Sequence, residues 1–199
     1  MSSILHRARE IIDFEAEILK KIPLDEHFES ALHCLRKCTG KVITTGMGKA
    51  GKIAHKMAGT LSSTGTPACY LHPGEAEHGD LGLLGPGDVI IAYSTSGKTR
   101  EVIEMLELSR HLGIVSIIGI TSHPDSLIHD CAEIVINMGV IEEPCPLGLT
   151  PTASTVAMLA ISDALALVLM EQKKVTRDDY GLRHHGGYLG LKARQAAAG

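Results

Sequence analysis

Two loops of this 199-residue chain combine small residues with the start of a predicted helix, an arrangement that can bind phosphate. The first loop follows the apolar run 41–45 and contains Gly46, Gly48 and Gly51, with a helix predicted over 49–64. Backbone N–H groups in the first turn of a helix have no partner within it, and the helix dipole adds positive potential there. The loop therefore indicates an anion site, and a tight turn that only requires glycine is the alternative.

The second loop follows the apolar run 89–93, and its hydroxyl residues are Ser94, Thr95, Ser96 and Thr99. A helix is predicted to begin near Lys98, so hydroxyls and free N–H groups together suit the oxygens of a phosphate monoester. Ordinary N-capping by Ser96 is the alternative. The G-x-S-x-G pattern of serine hydrolases is absent, which argues against Ser94 as a nucleophile. The two loops together favour one phosphorylated ligand bound between them.

Neither nucleotide-binding motif is complete in the first loop. A dinucleotide-binding loop needs an acidic residue at the end of the next strand, and residues 68–72 contain none. A Walker A loop needs Ser or Thr after its lysine, but Ile53 follows Lys52. The pattern is therefore typical of phosphate binding without a nucleotide.

Three further segments carry groups that can transfer protons: residues 72–80, the acidic pair 142–143 and the histidine pair 184–185. Segment 72–80 contains two histidines, two glutamates and an aspartate without any dedicated metal-ligand spacing. An obligatory metal is therefore not expected, and proton transfer is favoured. Residues 142–143 follow a predicted strand, so we expect them at the same sheet edge as the phosphate loops. A solvated acidic turn is the alternative for residues 142–143, and an ordinary surface loop is the alternative for residues 184–185.

The elements that must position these groups follow the pattern of an α/β protein. Amphipathic helices are predicted over 3–21, 25–38, 49–64 and 98–112, and apolar strands near 41–46, 67–72, 89–94, 114–120 and 133–138. This alternation predicts a parallel sheet with helices on both faces and ligands at the carboxyl ends of the strands. A final helix over 152–173 is apolar nearly all round, which predicts burial, for example at an oligomer interface.

Length and composition predict a single domain with N-terminal helices 3–38, an α/β core 41–173 and a C-terminal segment 174–199. A net charge of -4 without a basic block, and only two phenylalanines without tryptophan, argue against nucleic-acid binding. Five cysteines without a C-x-x-C pair predict free thiols in a reducing compartment. No signal segment is predicted, and the apolar stretch 156–170 is shorter than the ~20 residues of a membrane span. We therefore expect a soluble, cytoplasmic protein without a membrane partner.

Six segments occur in an order and spacing that resembles one family, the sugar isomerase (SIS) domain proteins, and within them the arabinose 5-phosphate isomerases. The segments are Gly-Met-Gly-Lys-Ala-Gly at 46–51, Ser-Thr-Gly-Thr-Pro at 63–67, His-Pro-Gly-Glu-Ala-Glu-His-Gly-Asp-Leu-Gly at 72–82, Ser-Thr-Ser-Gly at 94–97, Cys-Pro-Leu-Gly-Leu-Thr-Pro-Thr at 145–152 and His-Gly-Gly at 185–187. No single segment is decisive, but their joint order is specific and covers nearly the whole chain.

The resemblance implies a three-layer αβα sandwich of the flavodoxin-like type with a five-stranded parallel sheet. It also implies a homotetramer that interconverts D-ribulose 5-phosphate and D-arabinose 5-phosphate without a cofactor. The residues on the family's catalytic positions are Lys49, His78, Glu101, Glu143 and His184. The residues that we expect to bind the substrate are Gly46, Gly48, His72, Ser94, Thr95, Ser96 and Thr99.

Isomerisation between C1 and C2 requires one base that moves a proton through a cis-enediol intermediate, and a carboxylate suits this role. Glu143 is the first choice for this base and Glu101 the second. Lys49 would stabilise the enediolate oxygen or hold the substrate. His78 and His184 would open the sugar ring and move hydroxyl protons.

Three positions depart from the family pattern and put the sugar preference in question more than the reaction type. Many relatives have Asn at the position of Thr95, Glu at that of Lys98 and Pro at that of His185. Fuller relatives continue into paired CBS domains, so we expect this chain to lack regulation through them. Another SIS isomerase, such as one for a hexulose phosphate, and a non-catalytic sugar-phosphate-binding module are the alternatives.

Overall fold

The computed structural model describes residues 2–195 and contains a five-stranded parallel sheet between two layers of helices. The strands are β1 Val42–Gly46, β2 Ala68–Tyr70, β3 Val89–Tyr93, β4 Ser116–Thr121 and β5 Ile134–Asn137. Their order in the sheet is β2-β1-β3-β4-β5, and every neighbouring pair is parallel. β3 is buried along its whole length, as expected for an apolar strand covered on both faces. The predicted α/β class and the five strands are confirmed.

The helices, in chain order, are α1 Ser3–Lys20, α2 Glu26–Lys37, α3 Gly48–Ser63, α4 Pro73–Ala76, α5 Arg100–Ser109, α6 Leu127–Cys131, α7 Ala153–Gln172, α8 Arg177–Arg183 and α9 Gly187–Gln195. α4, α6, α8 and α9 were not predicted, because helices of one or two turns show too little apolar periodicity. The helix predicted from Lys98 begins at Arg100, since the preceding residues form the loop after β3.

Alternate residues of the strands face different helix layers. Val42 and Val89 pack in the cluster formed with α2, α3 and α7, whereas Ile43 and Ile90 pack in the cluster formed with α5 and α6. Both faces of the sheet are therefore covered, so a ligand can reach the sheet only at its borders, including the ends of its strands.

α3 and α7 lie side by side and run in the same direction. Lys56 pairs with Asp163 near the middle of the two helices, and Lys173 Nζ donates to Thr66 Oγ1 (2.8 Å) just beyond their ends. Both contacts join residues 107 positions apart. Because α3 starts directly after β1, the first turn of α7 also lies toward the carboxyl edge of the sheet.

Within the described part of the chain, α7 is the one helix that is long and apolar enough to cross a bilayer by length and composition alone. The helix has 20 residues, whereas the apolar stretch considered in the sequence covered only 156–170. Its length therefore does not argue against a membrane span, which corrects that expectation. Half of the most apolar stretch of this helix is already buried inside the chain. Tyr93 and Ser162 also join it to β3 through a hydrogen bond of 2.7 Å between their hydroxyls. We therefore treat α7 as a core helix.

Candidate active site

The carboxyl ends of the strands carry all the candidate residues except one. Lys49 follows β1, His72 and His78 follow β2, the Ser94–Thr99 loop and Glu101 follow β3, and Glu143 follows β5. β1 and β3 are neighbours in the sheet although β2 lies between them in the chain. Such a switch point is where open α/β sheets bind their ligands.

Two helices begin at this switch point without a side-chain cap. Met47, the N-cap residue of α3, makes no capping hydrogen bond, and neither does Thr99 at the start of α5. Thr99 Oγ1 lies instead 2.9 Å from Ser94 Oγ. By contrast, α1 and α2 are capped by the side chains of Ser2 and Asp25. The unpartnered N–H groups of α3 and α5 thus make the switch point suited to an anion.

The loop after β3 is held in place by the loop after β4. The carbonyl oxygen of Thr95 accepts a hydrogen bond from Thr121 Oγ1 (3.1 Å) and lies 3.0 Å from Nδ1 of His123. Gly97 has a φ of 64°, and a Cβ atom there would lie 1.7 Å from Ser126 Oγ. Only glycine fits this position, so the loop is organised before any ligand arrives.

The glycine loop before α3 is equally close-packed. A Cβ atom at Gly51 would lie 2.4 Å from the carbonyl oxygen of Gly46, and the Tyr70 hydroxyl donates to the same oxygen (3.0 Å). Gly48 has a φ of 59°. Lys49 is exposed in the first turn of α3, so its ammonium group can reach a ligand at the switch point.

Glu143 caps the start of α7. Its Oε2 accepts hydrogen bonds from the backbone N–H groups of Thr152 (2.8 Å) and Ala153 (2.9 Å) and from the Thr152 hydroxyl (3.2 Å). Its Oε1 accepts from the hydroxyl (2.5 Å) and the N–H group (3.2 Å) of Ser154. Burial acts to raise the pKa of Glu143, but these hydrogen bonds outweigh it and hold the pKa below the ordinary glutamate value. A carboxylate stabilised in this way is a weak base.

Glu101 lies in the first turn of α5 and is half-buried. It stands one helical turn before Met105, which is fully buried, so its side chain lies toward the inner side of the helix. No hydrogen bond or ion pair to the described residues occupies its carboxylate. Glu101 is therefore a carboxylate that is free to meet a ligand at this edge.

The two histidines after β2 lie on either side of α4, which packs against α5. His72 caps α4, since its Nδ1 accepts a hydrogen bond from the N–H group of Gly74 (3.2 Å). His78 is exposed and precedes Gly79, whose φ is 117°. Both imidazoles therefore flank a short helix that packs against α5.

His184 is the exception, because it lies near the amino ends of the strands. Its ring stacks on Tyr180 with centroids 3.9 Å apart, and its Nδ1 lies 3.0 Å from the Tyr180 carbonyl oxygen. The neighbouring Arg183 guanidinium lies 3.4 Å from where a Cβ atom of Gly65 would be, beyond the end of α3. The length of α3 thus separates His184 from Lys49 within one chain, about 24 Å for 16 residues.

The loop after Glu143 contains a thiol with an unusual environment. Cys145 Sγ accepts hydrogen bonds from the N–H groups of Leu149 (3.3 Å) and Thr150 (3.2 Å). Hydrogen bonding by Thr150 and Leu149 lowers the pKa of Cys145 to about 7. All five cysteines are free thiols.

Within residues 2–195, one group of three metal-type ligands has its ligand atoms within 4.8 Å of one another: Asp25, Glu26 and His27. All three are exposed at the start of α2. The histidines and carboxylates of segment 72–80 do not form such a group.

Several residues that shape the site were missed from the sequence. His123 and Ser126 support the loop after β3, and Tyr70 supports the glycine loop while stacking on His55 with ring centroids 5.4 Å apart. Tyr70 and His123 each occur at or just after the end of a strand. Polar or aromatic residues at that position were the signal that could have found them.

Comparison with known proteins agrees with this geometry. The SIS domain family model matches residues 35–168. A Francisella tularensis protein named arabinose 5-phosphate isomerase KdsD is 43% identical over 197 residues, which cover 96% of this chain but 60% of that protein. This chain therefore spans about three-fifths of that curated relative.

Two solved structures are similar over their whole length. A Bacteroides fragilis protein described as a candidate phosphosugar isomerase involved in capsule formation has a TM-score of 0.90 and 40% identity, and covers 94% of this chain. An Escherichia coli CFT073 protein in complex with arabinose 5-phosphate has a TM-score of 0.88 and 35% identity, and covers 92% of this chain.

Proposed function

This chain belongs to the SIS domain family, and from that membership we propose that it is an aldose–ketose isomerase that interconverts D-ribulose 5-phosphate and D-arabinose 5-phosphate. The reaction would proceed through a cis-enediol intermediate without a cofactor. The proposal is supported by the Francisella tularensis relative, whose name states this activity, and by the Escherichia coli structure solved with arabinose 5-phosphate.

The observation that carries the proposal is the pair of uncapped helices at the switch point. The first turns of α3 and α5 offer N–H donors on neighbouring strands, and Lys49 and the hydroxyl loop add further groups for an anion. We assign the phosphate to Ser94, Thr95, Ser96 and Thr99. The backbone at Gly46 and Gly48 would let the sugar approach closely, with His72 beside it.

Proton transfer between C1 and C2 needs a carboxylate that is not already stabilised as an anion. We assign this role to Glu101, because the carboxylate of Glu143 accepts five hydrogen bonds at the start of α7. Glu143 would then position the first turn of α7. The opposite assignment, which the sequence favoured, stays a prediction that mutation can decide. Lys49 would stabilise the enediolate oxygen, and His78 would move hydroxyl protons.

We further propose that the active enzyme is a cytoplasmic homotetramer in which His184 enters the site of a neighbouring subunit. His184 lies beyond the far end of α3, so it cannot meet Lys49 within the same chain. Apolar side chains near His184 are exposed and would need cover, among them Leu182 (68%) and Tyr188 (75%). The five free thiols agree with a reducing compartment.

Proton NMR in D2O tests the reaction directly. Ribulose 5-phosphate mixed with the protein should give a new aldose signal together with deuterium at C2, because the shuttled proton exchanges with solvent in the enediol state. The same assay with a hexulose 6-phosphate separates the proposed sugar preference from that of another SIS isomerase. A protein that binds these sugars but gives neither a new aldose nor deuterium incorporation would be a binding module, and the proposed function would be wrong.

A further inference from the structure

A pocket of about 270 Å³ lies between the end of α7 and the two C-terminal helices α8 and α9. Its apolar walls are formed by Met170, Val175, Tyr180 and Leu189. It lies near the edge of the sheet opposite the carboxyl ends, since Val175 contacts the position of a Gly65 Cβ atom at 3.5 Å. The pocket is therefore separate from the candidate active site of the same chain.

Among the described residues that line this pocket there are two cations and no carboxylate. Arg177 is exposed at the start of α8 and has no hydrogen-bond or ion-pair partner among the described residues. Lys192 lies 5.9 Å from the ring centroid of Tyr188 and otherwise faces solvent. An apolar cavity with unpaired positive charge at its rim is complementary to a molecule with an apolar body and one anionic group.

Tyr180 connects the pocket to His184. Its ring lines the pocket and also stacks on the imidazole, with an interplanar angle of 13°. The Tyr180 carbonyl oxygen is the partner of His184 Nδ1. A molecule that packs on the free part of the Tyr180 ring therefore contacts the same residue that holds the His184 imidazole.

We propose that this pocket binds a small organic carboxylate with an aliphatic or aromatic body, and that the bound ligand acts on His184 through Tyr180. The size of the cavity limits the ligand to about one or two rings. Binding itself is independent of the proposed function. The effect on catalysis rests on it, since His184 would serve the site of a neighbouring subunit.

Calorimetric titration with 2-naphthoate in phosphate buffer tests the binding. A carboxylate is used, with phosphate present, so that the loops at the carboxyl edge do not capture the probe. We expect the double variant Arg177→Gln, Lys192→Gln to bind about tenfold more weakly than wild type, the scale of one charge-assisted hydrogen bond. The variant Arg36→Gln, Lys37→Gln makes the same charge change on α2 and should bind like wild type. Neutral 2-naphthalenemethanol should bind wild type about tenfold more weakly than the acid.

Histidine-ring NMR tests the connection. Saturating 2-naphthoate should shift the His184 Cε1–H signal, assigned with a His184→Asn variant, and the shift should be lost in Tyr180→Leu, which keeps an apolar wall but has no ring to stack. Equal binding by the lining variant and the α2 variant would overturn the proposal. The proposal would also be overturned if the chemical shift of the His184 Cε1–H signal did not change at saturating 2-naphthoate. Binding that appears only after dilution separates the subunits would also overturn it, since a second copy of the chain would then occupy the pocket.

Discussion

Lys49 and His184 lie at opposite ends of helix α3 within one chain. Lys49 stands in the first turn of the helix, and Arg183, the residue before His184, contacts the position of a Gly65 Cβ atom beyond its last turn. At this separation the two side chains cannot contact the same small ligand within one chain. A shared site therefore requires a second subunit.

We predict that inactive Lys49→Ala and His184→Ala chains restore activity when they are unfolded and refolded together. In a closed oligomer refolded from equal amounts of both chains, each of the two residues at a site is intact with a probability of one half. About one site in four should therefore be active. Native mass spectrometry of the mixture should show the hybrid assemblies. Hybrids without recovered activity would mean that the two residues do not meet across subunits.

For the proton shuttle, we predict that Glu101→Gln lowers kcat by about 10²–10⁴-fold, the usual contribution of one positioned acid–base group. Its melting temperature should stay near that of wild type, because the carboxylate has no partner among the described residues. Glu107→Gln, an exposed change on the same helix, is the control. If Glu101→Gln turns over normally and Glu143→Gln is inactive, the base is Glu143.

Glu143→Gln should instead affect stability in a pH-dependent way. The pKa of Glu143 is lowered by its hydrogen bonds, so its stabilising contribution is present above the ordinary value of 4.5 and is lost as the pH falls through the lowered value. The difference in melting temperature between wild type and Glu143→Gln should therefore be large at neutral pH and shrink on acidification. Glu142→Gln changes the exposed neighbouring carboxylate and should show no such difference at any pH.

Ser96→Ala should raise KM for ribulose 5-phosphate more than it lowers kcat. The phosphate does not change during the reaction, so an interaction with it contributes equally to substrate and transition-state binding. Steady-state kinetics give both constants, and unphosphorylated ribulose is the control, because its slow turnover should not respond. A large loss of kcat at constant KM would assign Ser96 to the chemical step.

Alkylation of Cys145 by iodoacetamide should level off above about pH 7, because hydrogen bonds from Thr150 and Leu149 lower the pKa of its thiol to about 7. Cys69, whose pKa is raised by burial, should react slowly and still gain rate at higher pH. Peptide mass spectrometry measures both thiols in the same sample. Parallel profiles for the two cysteines would contradict the difference in environment.

Much of this fold could be predicted because local rules and tertiary structure agree. The apolar runs that form β1 and β3 are stable only when both faces of a parallel sheet are covered. The small residues that follow each run indicate that the ligand site lies at the carboxyl ends of these strands. The capping role of Glu143 could not be predicted, since its partners lie 9 to 11 residues later in the chain, across an irregular loop. The position of His184 could also not be predicted from the sequence. It depends on how two short helices, with weak apolar patterns of their own, pack beyond the end of α3.

The uncapped starts of α3 and α5 also bear on how the proposed, doubly charged sugar phosphate would reach the protein. Partial charges at helix ends act only within about the first turn, and ions in physiological solution screen a field beyond about 8 Å. The chain as a whole carries a net charge of -4, so an approaching dianion is weakly repelled until it almost touches the loops. We therefore expect the proposed sugar phosphate to be captured by ordinary diffusion and contact, so that added salt does not slow the encounter in the way that it slows electrostatically steered association.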